Sequence, residues 1–452
     1  MSRPPRFARK LVLPSLFGLV FGLSIGSAWG ADLMAVYRDA LGYDAQFASA
    51  QASLEAGREA LPQARAGLLP SISLSANTNS NDVSVERRTA GSTTSSMNYN
   101  TNGWTVSLSQ PIFRWDRIAG YSQGEARVAA AEAQFGLARQ DLIVRVAQGY
   151  FDVLQAMDAL EAATANKKAI AEQLEEAKRA FEVGTKTVVE VHDAQARYDL
   201  ATAQEIAADN DLAVKRQQLR LVAGQDYPAL KPLKPGMSVQ PPQPSNIDKW
   251  VDSAEQGYYG VQAAQAQLTV AEQEISRQRA GHLPSIDLVA SRGRSSQTNF
   301  YSLVPGLGAD TTSTVVGLQL TLPLFAGGGV SSAVNQAVAG KNKAQADLDF
   351  ARRSAALLAR QAFLGVLSGQ AQIRALEAAL VSSQSALDSN KLGFEVGVRT
   401  NIEVLNAQSQ YYDTRQRLLK SRLDTLAALL KLKGAAGTLG EEDLQAVNAL
   451  LD

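Results

Sequence analysis

The sequence predicts an α+β protein in which two tandem copies of one unit each contribute two strands and two long helical segments. Three observations predict it. The first is duplication: Ala66-Gly67-Leu68-Leu69-Pro70-Ser71-Ile72 returns as Ala280-Gly281-His282-Leu283-Pro284-Ser285-Ile286, displaced by 214 positions, and Phe181-Glu182-Val183-Gly184 returns as Phe394-Glu395-Val396-Gly397, displaced by 213. Solenoid units repeat every ~20–50 residues, so a period this long marks a duplicated half-structure. The second is strict alternation of apolar and small polar side chains, as in Ser71-Ile72-Ser73-Leu74 and Trp104-Thr105-Val106-Ser107-Leu108, which is strand periodicity. The third is a pair of stretches of helical composition that run for about 65 residues without a proline, each ~98 Å long at the helical rise.

Taken in order, the chain opens with Arg3, Arg6, Arg9 and Lys10, an apolar run from Leu11 to Ile25, and small residues at Ser27-Ala28-Trp29-Gly30. This layout predicts a secretory signal peptide over 1–30; its apolar run is shorter than a spanning helix requires. No other stretch of 18 apolar residues occurs, so a membrane crossing by this chain must be a β-barrel. Repeat 1 covers 31–222, with a helix at 35–68 and strands at about 71–78 and 101–111 flanking a Ser/Thr/Asn-rich loop at 79–100. A long helix at about 116–180 and a helix at about 187–222 follow. A Pro-rich linker fills 223–247. Repeat 2 covers 248–433, with a helix at about 248–281, strands at about 284–292 and 313–323 flanking a polar loop near 292–312, a long helix at about 330–393 and a helix at about 400–433. Residues 434–452 close the chain.

Composition excludes several functions. Without residues 1–30 the 44 basic residues fall to 40 against 44 acidic ones, which rules out a broad basic footprint for nucleic acid. The chain has no cysteine, hence no disulfide, no thiolate metal site and no thiol catalysis. His192 and His282 are the only histidines; they read as local packing residues beside a turn and beside Pro284. Gly327-Gly328-Gly329 lacks the Gly-Lys-Ser/Thr ending of a phosphate loop and fits a corner between strand and helix. The sequence therefore predicts no enzyme, cofactor or metal.

Strands that are apolar on one face and polar on the other suit either lipid against water or a sheet on a globular core. Four strands cannot close a barrel, for which about eight is the practical minimum, so closure in a membrane needs several chains. Trp104, Phe113, Trp115, Phe300, Tyr301 and Phe325 lie near the expected strand ends, as interfacial aromatic residues do.

Two short segments carry the most mechanism: Val183-Gly184-Thr185-Lys186-Thr187-Val188-Val189-Glu190 and Val396-Gly397-Val398-Arg399-Thr400-Asn401-Ile402-Glu403. Gly184 and Gly397 suit the left-handed end of a helix, and Thr187…Glu190 and Thr400…Glu403 fit the capping box that starts the next. Each segment is a tight reversal between antiparallel helices. Asp193 and Asn406 follow the glutamates on the same helix face. A symmetric assembly turns such groups into rings, the usual device of cation-favouring pores. Lys186 and Arg399 stand ready to bind the neighbouring acids.

On these residues the chain resembles the TolC family of outer-membrane efflux and type I secretion channels, over essentially all of 31–452. The resemblance rests on the duplicated Leu-Pro-Ser-Ile entries, Ser109-Gln110-Pro111-Ile112-Phe113, Leu322-Pro323-Leu324-Phe325, both Phe-Glu-Val-Gly turns, and the close Gly437-Thr438-Leu439-Gly440-Glu441-Glu442-Asp443-Leu444. The last of these, with the cysteine-free N-terminus, resembles TolC proper rather than the lipidated branches. The resemblance implies a homotrimer whose four strands per chain close a 12-strand barrel in outer-membrane lipid. That barrel continues into a helical tunnel in the periplasm, with 223–247 and 434–452 around its girth. It implies a passive exit duct for proteins or small toxic compounds, served by a periplasmic adaptor and an inner-membrane pump of ABC, RND or MFS type. The turns Val183–Lys186 and Val396–Val398 become adaptor-docking tips. Arg399 becomes the gate arginine with Thr400 beside it, Glu190 its acidic partner, and Glu403 the first acid of an entrance ring. Two positions depart from the family pattern. Asn406 stands where the ring has a second acid, with Asp193 at the equivalent place in repeat 1. Phe394 stands where the gate has a tyrosine, and it has no hydroxyl to donate. A porin-like diffusion channel would need many strands and short turns, and a trimeric structural stalk a sustained heptad seam.

Overall fold

The computed structural model describes residues 30–87, 93–185, 187–298 and 308–452. The expected signal peptide, apart from Gly30, lies outside the described residues, as do Lys186, Phe300 and Tyr301. The chain folds in the order α1 (Leu33–Tyr43), α2 (Ala45–Arg58), α3 (Ala60–Ala66), β1 (Ser71–Arg87), β2 (Thr93–Phe113), α4 (Trp115–Glu182) and α5 (Val188–Ala223). It continues with α6 (Ile247–Gly257), α7 (Tyr259–Arg279), β3 (Ser285–Gln297), β4 (Ala309–Thr321), α8 (Gly329–Glu395), α9 (Asn401–Ala435) and α10 (Glu441–Asn448). The succession of short helices, two strands, a very long helix and a shorter one thus occurs twice.

Three expectations need correction. The single helix expected at 35–68 is three. Asp44 is extended (φ −61°, ψ 114°), and its carboxylate accepts from the Phe47 N–H at 2.6 Å, so it caps a new helix; a second break falls at Glu59. The helix expected at 248–281 is likewise two, α6 and α7, broken at Tyr258 (φ −62°, ψ 126°) and followed by a short 3₁₀ turn at Ala280–His282. Tyr258 lies 214 positions after Asp44, the displacement that separates the matching sequence segments. The loops expected at 79–100 and 292–312 are mostly strand: β1 and β2 stay paired out to Arg87 and Thr93, and β3 and β4 out to Gln297 and Ala309. The Ser, Thr and Asn side chains there bond across the ladder. Asn81 Nδ2 donates to Tyr99 O at 3.4 Å and to Thr101 Oγ1 at 3.3 Å. Polarity at these positions reports water on both faces, not an irregular backbone.

The strands form one antiparallel sheet in the order β1-β2-β3-β4, so β1 and β4 each pair on one side only. Directly paired residues share a face. Ile72, Leu108, Ala290 and Val316 fall in one row and Leu288 faces Leu318, with Ile72, Val316 and Leu318 about 70% exposed. The opposite face presents Ser71, Ser73 and Ser75 against Ser109, Ser107 and Thr105. A register shift between Pro111 and Phe113 places Phe113 opposite Ile286, re-aiming the ring as bulges do. Arg114 then clamps the corner into α4, donating from Nε and Nη2 to the two carboxylate oxygens of buried Asp287 at 3.0 and 2.7 Å. Among the described residues no helix is long and apolar enough to cross a membrane.

Helix α4, 68 residues long, extends ~102 Å. It packs on α2, α3 and α7 along its first half and on α5 along its second, while α8 packs on α6, α7 and α9. Buried alanines line these contacts, among them Ala126, Ala130, Ala344, Ala355 and Ala359, and small side chains let long helices approach closely. The largest core sits at the girth, where Leu33, Val36 and Tyr37 of α1 meet Leu142, Val146 and Phe151 of α4, Leu219 of α5, Leu426 and Leu430 of α9 and Leu444 of α10. Buried Tyr150 reaches the carbonyls of Lys231 at 2.8 Å and Ala31 at 3.0 Å, tying the linker and the N-terminal segment to α4.

Candidate functional site

The site is the pair of reversals at the far end of the long helices from the sheet. In both, the helix ends in the same pattern. Gly184 (φ +80°) and Gly397 (φ +79°) take the left-handed conformation, which a Cβ would disfavour. Thr185 N–H donates to Ala180 O at 2.9 Å and Gly184 N–H to Phe181 O at 2.9 Å; Val398 N–H donates to Gly393 O at 2.8 Å and Gly397 N–H to Phe394 O at 3.0 Å. These paired bonds satisfy the carbonyls that a helix end leaves bare. The next helix starts in a capping box at each turn. Thr187 N–H donates to Glu190 Oε1 at 3.4 Å, and Thr400 N–H to Glu403 Oε2 at 2.7 Å. The second box is the tighter.

Arg399 donates to Glu403 Oε1 at 2.7 Å, one turn along its own helix. The Thr400 backbone N–H, then the Arg399 guanidinium, holds the Glu403 carboxyl below the usual glutamate range. Glu190, Asp193 and Asn406 are exposed, and Asp193 accepts from Arg197 Nε at 3.0 Å. Val183, Gly184, Thr185, Val396, Gly397 and Val398 are exposed at the two tips. Val183, Val396 and Val398 are each at least 65% exposed, and Phe394 stands partly open behind them at 38%. Within one chain the structure brings Arg399, Thr400 and Glu403 together; Phe394 lies a turn behind them, and Glu190 belongs to the other reversal.

Sequence reasoning missed the bonds that join the two reversals. Asn401 Nδ2 donates to Glu176 Oε2 at 2.9 Å, linking the start of α9 to the end of α4. Further up, Arg415 on α9 donates to Asp158 Oδ1 at 2.9 Å and Glu161 Oε2 at 3.0 Å on α4. These partners lie more than 220 positions apart, beyond any local pattern. Among the described residues no group of His, Asp and Glu is placed to hold a metal.

Residues 36–225 and 250–438 match the family model described as outer membrane efflux protein. The chain is 32% identical over 440 residues to the outer membrane protein TolC of Vibrio cholerae, covering 97% of this chain and 98% of the relative. It is 33% identical to the alkaline protease secretion protein AprF of Pseudomonas aeruginosa, covering 96% and 90%. Among solved structures, the CmeC outer membrane channel of Campylobacter jejuni matches with a TM-score of 0.78 at 17% identity, over 99% of this chain and 98% of that one; at that identity the likeness speaks for the fold.

Proposed function

Because this chain belongs to the outer membrane efflux protein family, we propose that it is the outer-membrane exit duct of a tripartite efflux or type I secretion system. It resides in the outer membrane with a large periplasmic part. The observation that carries the reading is the open four-stranded sheet, apolar on its outward face and unpaired along both edges, continuous with helices ~100 Å long. An unpaired edge in lipid leaves its N–H and C=O groups without partners, so the sheet must close. Three copies bring 12 strands, above the minimum for a barrel, and their helices extend the same wall into the periplasm. The two matched segments of the family model support the reading of the chain as two tandem repeats. The duct is passive and takes its energy and cargo from an inner-membrane ABC, RND or MFS-type pump through a periplasmic adaptor. The names of the protease secretion relatives favour protein cargo.

The helical turns form the closed tip, and Arg399 is its gate arginine. Its bond to Glu403 uses one guanidinium nitrogen, which leaves the others to reach Glu190 across the closed tip. Each exposed ion pair contributes about 0.2–1 kcal/mol, so three of them sum to about 0.6–3 kcal/mol. An adaptor that binds the open form preferentially overcomes that much. Glu403, Asp193 and Asn406 line the entrance, the exposed valines of both tips receive the adaptor, and Phe394 packs behind the gate without a hydrogen bond. The test is the mass and conductance of the detergent-purified protein: three chains per particle, and discrete single-channel steps in a planar bilayer. A one-chain particle that makes no pore refutes the proposal.

A further inference from the structure

Two arginines stand on the wrong face of the sheet for a barrel wall in lipid. In β3 the even positions Ile286, Leu288 and Ala290 lie in rows with Leu320, Leu318 and Val316, the apolar face. The same parity continues to Arg292 and Arg294. Arg292 faces Val106 on one side and Thr314 on the other; Arg294 faces Trp104 and Thr312. Both arginines are exposed. Arg294 donates from Nη2 to Asp310 Oδ2 at 2.6 Å, on the neighbouring strand and the same face. Arg292 makes no ion pair among the described residues.

An uncompensated arginine facing lipid is strongly unfavourable at the bilayer midplane and nearly neutral at the interface. Height along the strand decides which applies. Leu322, two positions beyond Leu320, marks the helix side of the apolar face. Eight residues separate its level from the Arg292 row and ten from the Arg294 row. At about 3.3 Å per residue and a strand tilt of about 40°, these rows stand roughly 20 and 25 Å above Leu322. An outward apolar band is about 25 Å tall. The Arg294 row, with Trp104 in it, therefore lies at the external boundary, and Arg292 lies just inside, within reach of it by snorkelling its side chain. Beyond this level the face turns to Asn102, Ser296 and Thr78.

We propose that Arg292, flanked by Arg294 and the Trp104 ring, is a recognition point for the phosphate groups of a phosphorylated glycolipid in the external leaflet. Arg292 supplies the free charge, and the planar guanidinium suits two phosphate oxygens at once. Asp310 tempers the site by holding Arg294. This inference rests on the outer-membrane barrel reading above.

The test uses the full-length protein in detergent, incubated with a diphosphorylated lipid A-type glycolipid or with its dephosphorylated form, and bound lipid is counted by native mass spectrometry. The wild type retains the phosphorylated form preferentially. Arg292→Gln lowers that retention about fivefold, the worth of one basic residue at an anionic surface. Asp310→Asn, which frees Arg294, raises it. Inorganic phosphate at millimolar concentration leaves retention unchanged, since the acyl chains share in the binding. Equal retention of both lipids, equal retention by wild type and Arg292→Gln, or displacement by inorganic phosphate would overturn the inference. Conductance recorded on the same preparations separates the two levels. A conducting protein with no lipid preference refutes only the lipid site, whereas a protein that never conducts refutes the barrel itself.

Discussion

At the scale of single residues, the tip is held by short-range bonds whose strength depends on charge. Arg399 bonds Glu403 on its own helix at 2.7 Å, and on the proposed reading it also ties the closed tip. Arg399→Ser is expected to raise single-channel conductance in planar bilayers by loosening the closed tip, and unchanged conductance would remove Arg399 from the gate. Glu403 gives a pH dependence of definite sign. Its carboxyl titrates lower in the folded turn than in an unfolded chain, because the Thr400 N–H and Arg399 favour the charged form. Its contribution to the turn is therefore complete above about pH 4.3, the ordinary glutamate value, and is lost as pH falls below that. Conductance is expected to be flat from pH 7 to about 5 and to rise below about 4. Glu403→Gln, which cannot titrate, abolishes that step. A step of equal size in Glu403→Gln would place the titrating group elsewhere.

At the scale of elements, the long helices are joined by close approach rather than by bulky side chains. Gly369 on α8 faces buried Thr425 on α9, and a Cβ at Gly369 would clash with Thr425 Oγ1. Gly369→Ala forces the two helices apart. It is expected to destabilise the protein by about 1–3 kcal/mol, read as a lowered midpoint in thermal unfolding, with Thr425→Ala in the same chain restoring most of the loss. A second clamp joins α4 to α7. Burial pushes the Glu274 carboxyl up, but bonds from Arg277, Gln278 and Gln123 outweigh it and bring it to about 2. Glu274→Ala leaves buried Gln123 Nε2 with only the Val270 carbonyl at 3.3 Å as acceptor, at a cost of about 1 kcal/mol. The carboxylate's support is present above the ordinary glutamate value and is lost between there and about pH 2.

At the scale of the whole molecule, the sheet of one chain is open at both edges, which on the proposed reading makes it an incomplete wall. A monomer would expose a continuous apolar sheet face and two bare strand edges, so dilution below the assembly threshold is expected to produce aggregation rather than a stable soluble monomer. Light scattering on stepwise detergent dilution checks this; a monodisperse one-chain species would contradict it. The girth core bears the same mark. It gathers α1, α4, α5, α9 and α10 and pins the segment at Ala31 through Tyr150. Tyr150→Phe is accordingly expected to loosen this girdle while leaving the tip bonds in place, measured as faster hydrogen exchange near Ala31 and Lys231.

The sequence by itself determined the repeated order of elements, the long helices and the two capped turns. Each of these rests on local chemistry: periodicity, a glycine able to take positive φ, and a Thr-x-x-Glu spacing. The tertiary structure decided three matters the sequence misread or left blank. Asp44 and Tyr258 split helices that composition alone would run through, because a single extended residue breaks a helix without proline or glycine; Asp44 also caps the next helix with its own carboxylate, whereas Tyr258 has no side-chain cap. The Ser/Thr/Asn-rich stretches became strand, because a ladder partner satisfies their backbone whatever their side chains. Finally, Asn401 meets Glu176, and Arg415 meets Asp158 and Glu161, only once α9 lies along α4. Sequence separation carries no information about such pairs; helix packing alone brings them within a hydrogen bond's length.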